Sequence, residues 1–168
     1  LIALMCVLRD LKGTLDLGLW YAKGSSFELV SYSGTDYAKC KVDRKSTSRT
    51  YEFLGHSLVS WSSRKQNSVA ISTIKAEYIA ARSCIAQVLW MVQNLKDYGP
   101  RYNHVSILCD NLTAINLTKN PIQHSRTKHI EVRRHFILDH VLKGNVVFNF
   151  VYTSNQLADT FTKPLHEN

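Results

Sequence analysis

The chain has 168 residues, a length that fits one domain with a buried core. Its hydrophobic content of 45% and charged content of 20% are typical of a globular domain, and no apolar run reaches the length of a membrane-spanning helix. The 21 Lys and Arg residues outnumber the 13 Asp and Glu residues, so the formal charge is +8 and a polyanionic partner is favoured. The alternative interpretation is a generic basic domain that its charge keeps dispersed.

The first residue and the cysteines give two expectations, one about the length of the natural product and one about its redox environment. The chain does not begin with Met, so we expect it to be a piece of a longer product. None of the four cysteines lies in a Cys-x-x-Cys pair, which argues against a zinc site and fits unpaired thiols in a reducing, intracellular environment.

Cys84 and Cys109 lie in apolar patterns, as do Trp61 and Trp90, and all four are predicted to be core residues.

The first part of the chain predicts a helix, three strands and a second helix. Apolar spacing predicts a helix over residues 1–11 that ends near Gly13. Alternating apolar and polar residues then predict three strands with short turns, which form an antiparallel meander: 26–33, 48–54 and 58–62. A long helix follows, with Ser72 or Thr73 as its N-cap and a Gly-Pro pair after its end.

The second part alternates strands and helices. A compact apolar run over 105–109 predicts a buried strand. Two helices, a strand and a short last helix are then predicted, in that order, at 111–118, 127–143, 146–152 and 156–162. The whole order predicts an α/β domain with a five-stranded mixed sheet, three strands of it antiparallel, flanked by helices.

Three acidic residues lie where predicted elements begin or end. Glu77 falls in the first turns of the long helix, Asp110 directly follows the run at 105–109, and Asp159 lies in the last short helix. Carboxylates gathered from such places form the Mg²⁺ sites of phosphoryl-transfer enzymes, since hard oxygen ligands hold the metal. The alternative is that they are ordinary solvated surface charges.

Longer stretches carry a more specific pattern. They include Ala-Glu-Tyr-Ile-Ala (76–80), Cys-Asp-Asn (109–111), Gln-His-Ser-Arg-Thr-Lys-His-Ile (123–130) and Gln-Leu-Ala-Asp-Thr-Phe-Thr-Lys-Pro-Leu (156–165). Together with 32–48 and 53–66, these stretches resemble, in the same order, the ribonuclease H domain at the end of the copia-type retrotransposon Pol polyprotein. Residues 1–23 resemble the segment that joins the reverse transcriptase to this domain, which leaves 24–168 as the ribonuclease H-like domain.

The resemblance implies an activity and its requirements. A ribonuclease H hydrolyses the RNA strand of an RNA–DNA hybrid with two Mg²⁺ ions, for which Mn²⁺ can substitute, held by four carboxylates. Three of these fall on Glu77, Asp110 and Asp159, which would be catalytic residues and metal ligands. The implied partners are the hybrid and the reverse transcriptase of the same polyprotein, in the cytoplasm, a virus-like particle or the nucleus, with no membrane.

The fourth carboxylate is missing. The family pattern Tyr-Ser-Asp-x-Asp reads Tyr-Ser-Gly-Thr-Asp here, so Gly34 replaces the first catalytic aspartate. Asp36 is a doubtful substitute, because in a strand it lies about 6.6 Å farther along, at about 3.3 Å per residue. Since Mg²⁺ demands strict ligand geometry, we expect weak metal binding and impaired cleavage that Gly34→Asp restores. The alternatives are a non-catalytic nucleic-acid-binding domain and a domain that only docks to its reverse transcriptase.

Two basic clusters are candidates for contacts with the phosphates of a hybrid. The first follows the first strand and consists of Lys39, Lys41, Arg44, Lys45 and Arg49. The second lies before and within the helix at 127–143 and includes Arg126, Lys128 and His129. The alternative is that both clusters are solvated surface charges.

Overall fold

The computed structural model describes residues 2–16, 18–119 and 128–161, and the strands in this part of the chain form one mixed sheet. They are β1 (Leu29–Asp36), β2 (Thr47–Leu54), β3 (Ser57–Lys65), β4 (Val105–Cys109) and β5 (Val146–Phe150), in the order β3-β2-β1-β4-β5. β3, β2 and β1 are antiparallel neighbours, whereas β1, β4 and β5 run parallel. The predicted five-stranded mixed sheet is confirmed.

Three of the described helices pack against this sheet: α2 (Thr73–Leu95), α3 (Leu112–Lys119) and α4 (Lys128–Leu142). A further helix, α1 (Ile2–Gly13), precedes the first strand in the chain. Short 3₁₀ turns follow α2 and β5, and the C-terminal 3₁₀ helix spans Leu157–Phe161. None of the described helices is long and apolar enough to cross a membrane.

Some elements differ from their predicted bounds. β1 begins three residues later than expected and continues through Asp36, so that Gly34 and Asp36 both lie inside the strand. β3 continues to Lys65, three residues past the expected end. The last predicted helix is 3₁₀ rather than α, which is common for pieces this short because one or two turns do not offset the cost of starting an α-helix.

The core lies between α2 and the sheet. Its largest fully buried apolar side chains come from α2, β4, α4 and β5: Ile85, Val88, Val105, Ile107, Ile137 and Val146. Cys84 and Cys109 are buried among them, as predicted.

Two residues predicted for the core are on the surface. Trp61 is 52% exposed and Trp90 is 62% exposed, so the prediction that both belong to the core is wrong. Trp61 lies on the edge strand β3, and Trp90 lies outside the set of α2 residues that pack against the sheet. An apolar residue in a periodic pattern is buried only where another element covers its face.

One carboxyl group is buried between the sheet and α2. Glu52 on β2 has no exposed surface; the Ser31 hydroxyl donates to its Oε1 over 3.5 Å, and Cys84 Sγ lies 3.0 Å from that hydroxyl. Burial raises the pKa of Glu52 above its ordinary value of 4.5, because the charged form loses its hydration. The folded protein therefore keeps a proton on Glu52 over a pH range in which the unfolded chain has lost it.

This raised pKa makes stability depend on pH. The contribution of Glu52 to the free energy of unfolding is fully present below pH 4.5 and is lost as the pH rises through its folded-state pKa. Urea unfolding from about pH 4 to about pH 8 measures this slope. Glu52→Gln should flatten it, whereas Glu28→Gln, at an exposed position, is the matched control and should not. Parallel curves for the unmodified chain and Glu52→Gln would contradict the assignment.

Candidate functional site

Parallel strands bring their carboxyl ends to one edge of the sheet. β1 ends at Asp36, β4 is followed by Asp110, and β5 leads into the C-terminal 3₁₀ helix. β2 runs antiparallel to β1, so its first residues lie at this edge too, with Thr47 opposite Asp36 and Arg49 opposite Gly34. Ligand sites of open α/β sheets gather at such carboxyl edges.

Glu77 faces this edge from the second turn of α2. Ser72 caps the helix by accepting from the Lys75 amide over 3.2 Å, which fixes where the helix starts. Glu77 Oε1 accepts from Thr35 Oγ1 over 2.6 Å, while Oε2 is buried and has no hydrogen-bond partner among the residues that the structure describes. Burial raises the pKa of Glu77 to about 7; the Thr35 hydrogen bond opposes this shift and the negative charge of Asp110 adds to it.

Asp110 faces the same groove as Glu77. Its Oδ2 accepts from Thr153 Oγ1 over 3.2 Å, and the next residue, Asn111, caps α3 by accepting from the Ala114 amide over 3.0 Å. The groove has a volume of about 370 Å³, and its lining residues come from the ends of β1, β4 and β5 and from the starts of α2 and α3: Thr35, Tyr37, Thr73, Glu77, Asp110, Asn111, Leu112 and Phe150. Two of the three candidate carboxylates therefore face one groove.

Asp159 belongs to a different group of side chains. Its Oδ1 is 2.6 Å from Arg49 Nη1, and Arg49 is only 3% exposed. Arg49 Nη2 also donates to the Thr35 carbonyl over 2.7 Å, which joins the β2 guanidinium to the end of β1. Of the two alternatives for Arg49, the solvated surface charge is wrong, because its guanidinium is buried and paired with Asp159. This pairing gives no support to a phosphate contact either.

Gly34 leaves space beside this ion pair. A Cβ at position 34 would be 3.8 Å from Arg49 Nη2 and 3.7 Å from Gln156 Nε2, which are ordinary van der Waals distances. Gln156 is buried and donates to the Ser33 carbonyl over 3.1 Å, so it holds the start of the C-terminal 3₁₀ helix against β1. A side chain at position 34 would therefore face Arg49 and Gln156, whereas the Thr35 side chain faces Glu77.

Asp36, the doubtful substitute for the missing aspartate, has a partner of its own. Its Oδ2 is 2.8 Å from Lys39 Nζ in the turn that follows β1. It lies opposite Thr47, two positions beyond Gly34 along the strand. These contacts give no support to the substitute role, which stays a prediction.

Comparison with known proteins identifies the family. No protein-family model matches the chain. The retrovirus-related Pol polyprotein from transposon RE2 of Arabidopsis thaliana is 41% identical over 97% of the chain, and that from transposon TNT 1-94 of Nicotiana tabacum is 36% identical over 99%. The chain belongs to the copia-type, retrovirus-related Pol polyproteins. It spans 11% and 12% of the lengths of these two relatives, so it corresponds to one segment of such a polyprotein.

Solved structures show which fold this Pol segment has. Ribonuclease H1 of the archaeon Halobacterium salinarum NRC-1 aligns with a TM-score of 0.53 at 9% identity, covering 78% of the segment and 90% of that chain. LC11-RNase H1, solved in complex with an RNA/DNA hybrid, aligns with a TM-score of 0.56 at 12% identity, covering 79% and 91%. The Pol segment therefore has the ribonuclease H-like fold, and the family and fold indicated by the sequence motifs are confirmed.

The carboxylates in the described part of the Pol segment form no cluster that fits a pair of metal ions. Proteins of this fold generally use divalent metals, which carboxylate oxygens hold. In the described ranges, no group of three or more His, Cys, Asp or Glu side chains could hold such an ion. Glu77 Oε2 has no hydrogen-bond partner in this part of the chain, but Asp159 is paired with Arg49 and position 34 has no side chain. The ligand and catalytic roles of Glu77, Asp110 and Asp159 stay predictions.

The first basic cluster follows β1, at the same edge of the sheet. Lys41 and Arg44 are exposed, and Lys45 is half-buried with its Nζ 3.9 Å from Asp43 Oδ2. Asp43 also pairs with Lys65 over 2.8 Å, so this loop is joined to β3. Lys41 and Arg44 therefore present their charges outward from a loop that the sheet anchors.

The second basic cluster is only partly described. Arg126 lies outside the described residues. Lys128 and His129 begin α4, and only their backbone is described. The predicted phosphate contacts of these three residues stay predictions.

Three residues that shape this edge were not singled out from the sequence. Thr35 could have been found by strand alternation, because the neighbour of Gly34 must face the opposite side of the sheet, where α2 lies. Gln156 and Thr153 lie after β5 and meet their partners on β1 and after β4 only through the fold. No local pattern predicts those two contacts.

Proposed function

We propose that this Pol segment binds an RNA–DNA hybrid and cleaves its RNA strand very poorly. The observation that carries the proposal is the opposition of Gly34 and Arg49 across β1 and β2. Gly34 lacks the carboxylate that the resemblance implies, and Arg49 neutralises Asp159. The family and the fold support an ancestral ribonuclease H activity, whereas these two residues support its loss.

Hybrid binding is supported by charge and position. The formal charge is +8, and the exposed Lys41 and Arg44 lie at the edge that also holds the groove of Glu77 and Asp110. Neutralising phosphates supplies most of the sequence-independent affinity for nucleic acid. One structural neighbour, LC11-RNase H1, was solved with an RNA/DNA hybrid, and we extend that class of ligand to this chain.

Poor cleavage is supported by the state of the remaining acids. Glu77 and Asp110 face the groove, and burial raises the pKa of Glu77 to about 7. Carboxyl groups ligate metal ions only when deprotonated. The Asp159 carboxylate already accepts from a buried guanidinium. The edge therefore presents much less available negative charge than four carboxylates would.

The unmodified chain should leave a labelled RNA–DNA hybrid nearly intact in Mg²⁺ and in Mn²⁺. We expect cleavage at least about 100-fold slower than by a ribonuclease H1 of the same fold, since losing even an outer-shell partner costs about 10–100-fold. Denaturing gels of the labelled RNA strand, at saturating protein, measure the rate. Asp110→Asn is the control and should not slow the residual rate further. Robust cleavage that Asp110→Asn abolishes would overturn the proposal.

Binding of the hybrid should depend steeply on salt. We expect Lys41→Ala with Arg44→Ala to weaken binding and to reduce the slope of log affinity against log salt by about one to two, because each lost phosphate contact removes about one released counterion. Fluorescence anisotropy between about 50 and 200 mM salt measures the slope. Lys96→Ala with Arg101→Ala removes the same charge from exposed positions near the other end of the sheet and should change affinity less. Equal effects of the two pairs would contradict the assigned surface.

A second candidate function is docking to the part of the polyprotein that precedes this chain, which the resemblance identifies as the reverse transcriptase. The observation that favours it is the exposed apolar surface of α1, where the spacing of Leu4, Leu8 and Leu11 places them on one face and each is 58–59% exposed. Large exposed apolar patches mark interaction surfaces. Both functions can coexist, because α1 lies outside the groove.

Docking predicts association with the separately expressed preceding segment of the polyprotein. Leu4→Ser with Leu8→Ser should weaken this association about tenfold or more, since two apolar side chains of this size contribute several kcal/mol when buried. Isothermal titration calorimetry measures it. Val69→Ser with Leu142→Ser, also at exposed apolar positions, is the matched control. Unchanged affinity in the α1 variant would rule the docking surface out.

A further inference from the structure

The Arg49 guanidinium lies beside Gly34 and is held there by other groups of the protein. Directly opposite residues of an antiparallel pair project from the same face with their Cβ atoms about 4.5–5.5 Å apart. Because Gly34 has no side chain, the guanidinium extends past it: Nη2 lies 3.8 Å from the position of a Cβ at 34, and the group reaches both the Thr35 carbonyl and Asp159. Arg49 therefore uses the space that the glycine leaves.

Burial makes this contact stronger than a surface ion pair. Arg49 is 3% exposed and the Asp159 side chain 13%, so water screens their attraction weakly. A buried guanidinium is tolerated only when a charge partner and further acceptors satisfy it. Asp159 and the Thr35 carbonyl provide these, over 2.6 and 2.7 Å. Removing Asp159 from the guanidinium would leave a buried charge without its partner.

We propose that Arg49 is the built-in cation of this carboxylate edge and that it keeps Asp159 from ligating a divalent metal ion. A metal at Asp159 would have to displace the guanidinium or lie beside it, and the like charges would repel each other. Mg²⁺ also demands near-ideal octahedral geometry, which an oxygen already held by Arg49 does not supply freely. The inference rests on the proposed loss of cleavage and gives that loss a second cause, independent of Gly34.

The same geometry changes what Gly34→Asp alone can do. An aspartate there would project toward Arg49 Nη2 and Gln156 Nε2, and its carboxylate would become another partner of the guanidinium. The expectation from sequence, that this substitution restores the site, did not take the opposite residue into account. Replacing both Gly34 and Arg49 would leave the carboxylates at positions 34 and 159 without the Arg49 guanidinium beside them.

A double-mutant cycle on Mn²⁺ affinity tests the inference without nucleic acid or cleavage. We expect Gly34→Asp and Arg49→Gln to gain little Mn²⁺ affinity singly, and the double variant to gain about tenfold or more, the size that one metal-site partner typically contributes. Electron paramagnetic resonance of unbound Mn²⁺ measures the affinity, and circular dichroism checks that each variant is folded. Gly34→Asp with Arg64→Gln has the same net charge change at an exposed position and should match Gly34→Asp alone.

Arg49→Lys in the Gly34→Asp background separates charge from shape. Lys keeps the positive charge, so the Mn²⁺ affinity should stay at the level of Gly34→Asp. If Gly34→Asp alone binds Mn²⁺ as tightly as the double variant, or if the double variant binds no more tightly than the unmodified chain, the inference is overturned. These outcomes are distinct from a failure of the proposed function, which would appear as cleavage by the unmodified chain.

A measurement on the unmodified chain covers the case in which Arg49→Gln does not fold. The guanidinium N–H signals of Arg49 in a nitrogen-15 spectrum should be slow to exchange with water, because the group is buried and hydrogen-bonded. We expect these signals to stay unchanged as Mg²⁺ is added to millimolar concentration. A saturable shift of the Arg49 signals, together with their faster exchange, would show that the metal displaces the guanidinium and would overturn the inference.

Discussion

The parallel pairing of β1 with β4 is the interaction on which the arrangement depends. It aligns Val30 with Ser106 and Tyr32 with Leu108, so both strands direct their carboxyl ends toward the same edge, where β1 continues beyond the end of β4. α2 supplies the long crossover that parallel strands require, and its first turns return to the same edge. The shared edge is the reason why Thr35, Glu77 and Asp110 line one groove although they are far apart in the chain. The buried apolar side chains of β4 and α2 hold this pairing in place.

β2 carries buried ionisable side chains on both faces, which is unusual for a strand next to the centre of a sheet. Arg49 is directed toward Asp159, whereas Glu52, three residues later and so on the opposite face, lies beside Ser31 and Cys84. A shift of one residue in the pairing of β1 and β2 would exchange the faces and move both Arg49 and Glu52 away from their hydrogen-bond partners. Both residues therefore make an incorrect register of β1 and β2 less stable. The register of β2 depends on its polar residues as much as on its apolar ones.

Elements with a strong local signal could be predicted from the sequence, whereas contacts between distant segments could not. β4 has the predicted bounds because a short apolar run between polar residues is a complete local description of a buried strand. The start of α2 was predicted because Ser72 is a capping residue followed by helical periodicity. The burial of Arg49 was not predictable, since an Arg in a basic run is indistinguishable from its exposed neighbours until Asp159 is brought to it by the fold. The exposure of Trp61 and Trp90 has the same origin: the pattern shows that a face is apolar and not whether another element covers it.

The two buried thiols allow local unfolding of the chain to be measured by their rates of alkylation. Cys84 and Cys109 are free and almost completely buried, and burial raises the pKa of Cys109 to about 12 and that of Cys84 also well above its ordinary range. Only the thiolate reacts with alkylating reagents, so neither group is labelled while the sheet and α2 stay together. Cys109 immediately precedes Asp110, whereas Cys84 lies at the middle of α2. The rate at which Cys109 is alkylated thus follows local fluctuations at the carboxyl edge of the sheet, and the rate at Cys84 follows separation of the helix from the sheet.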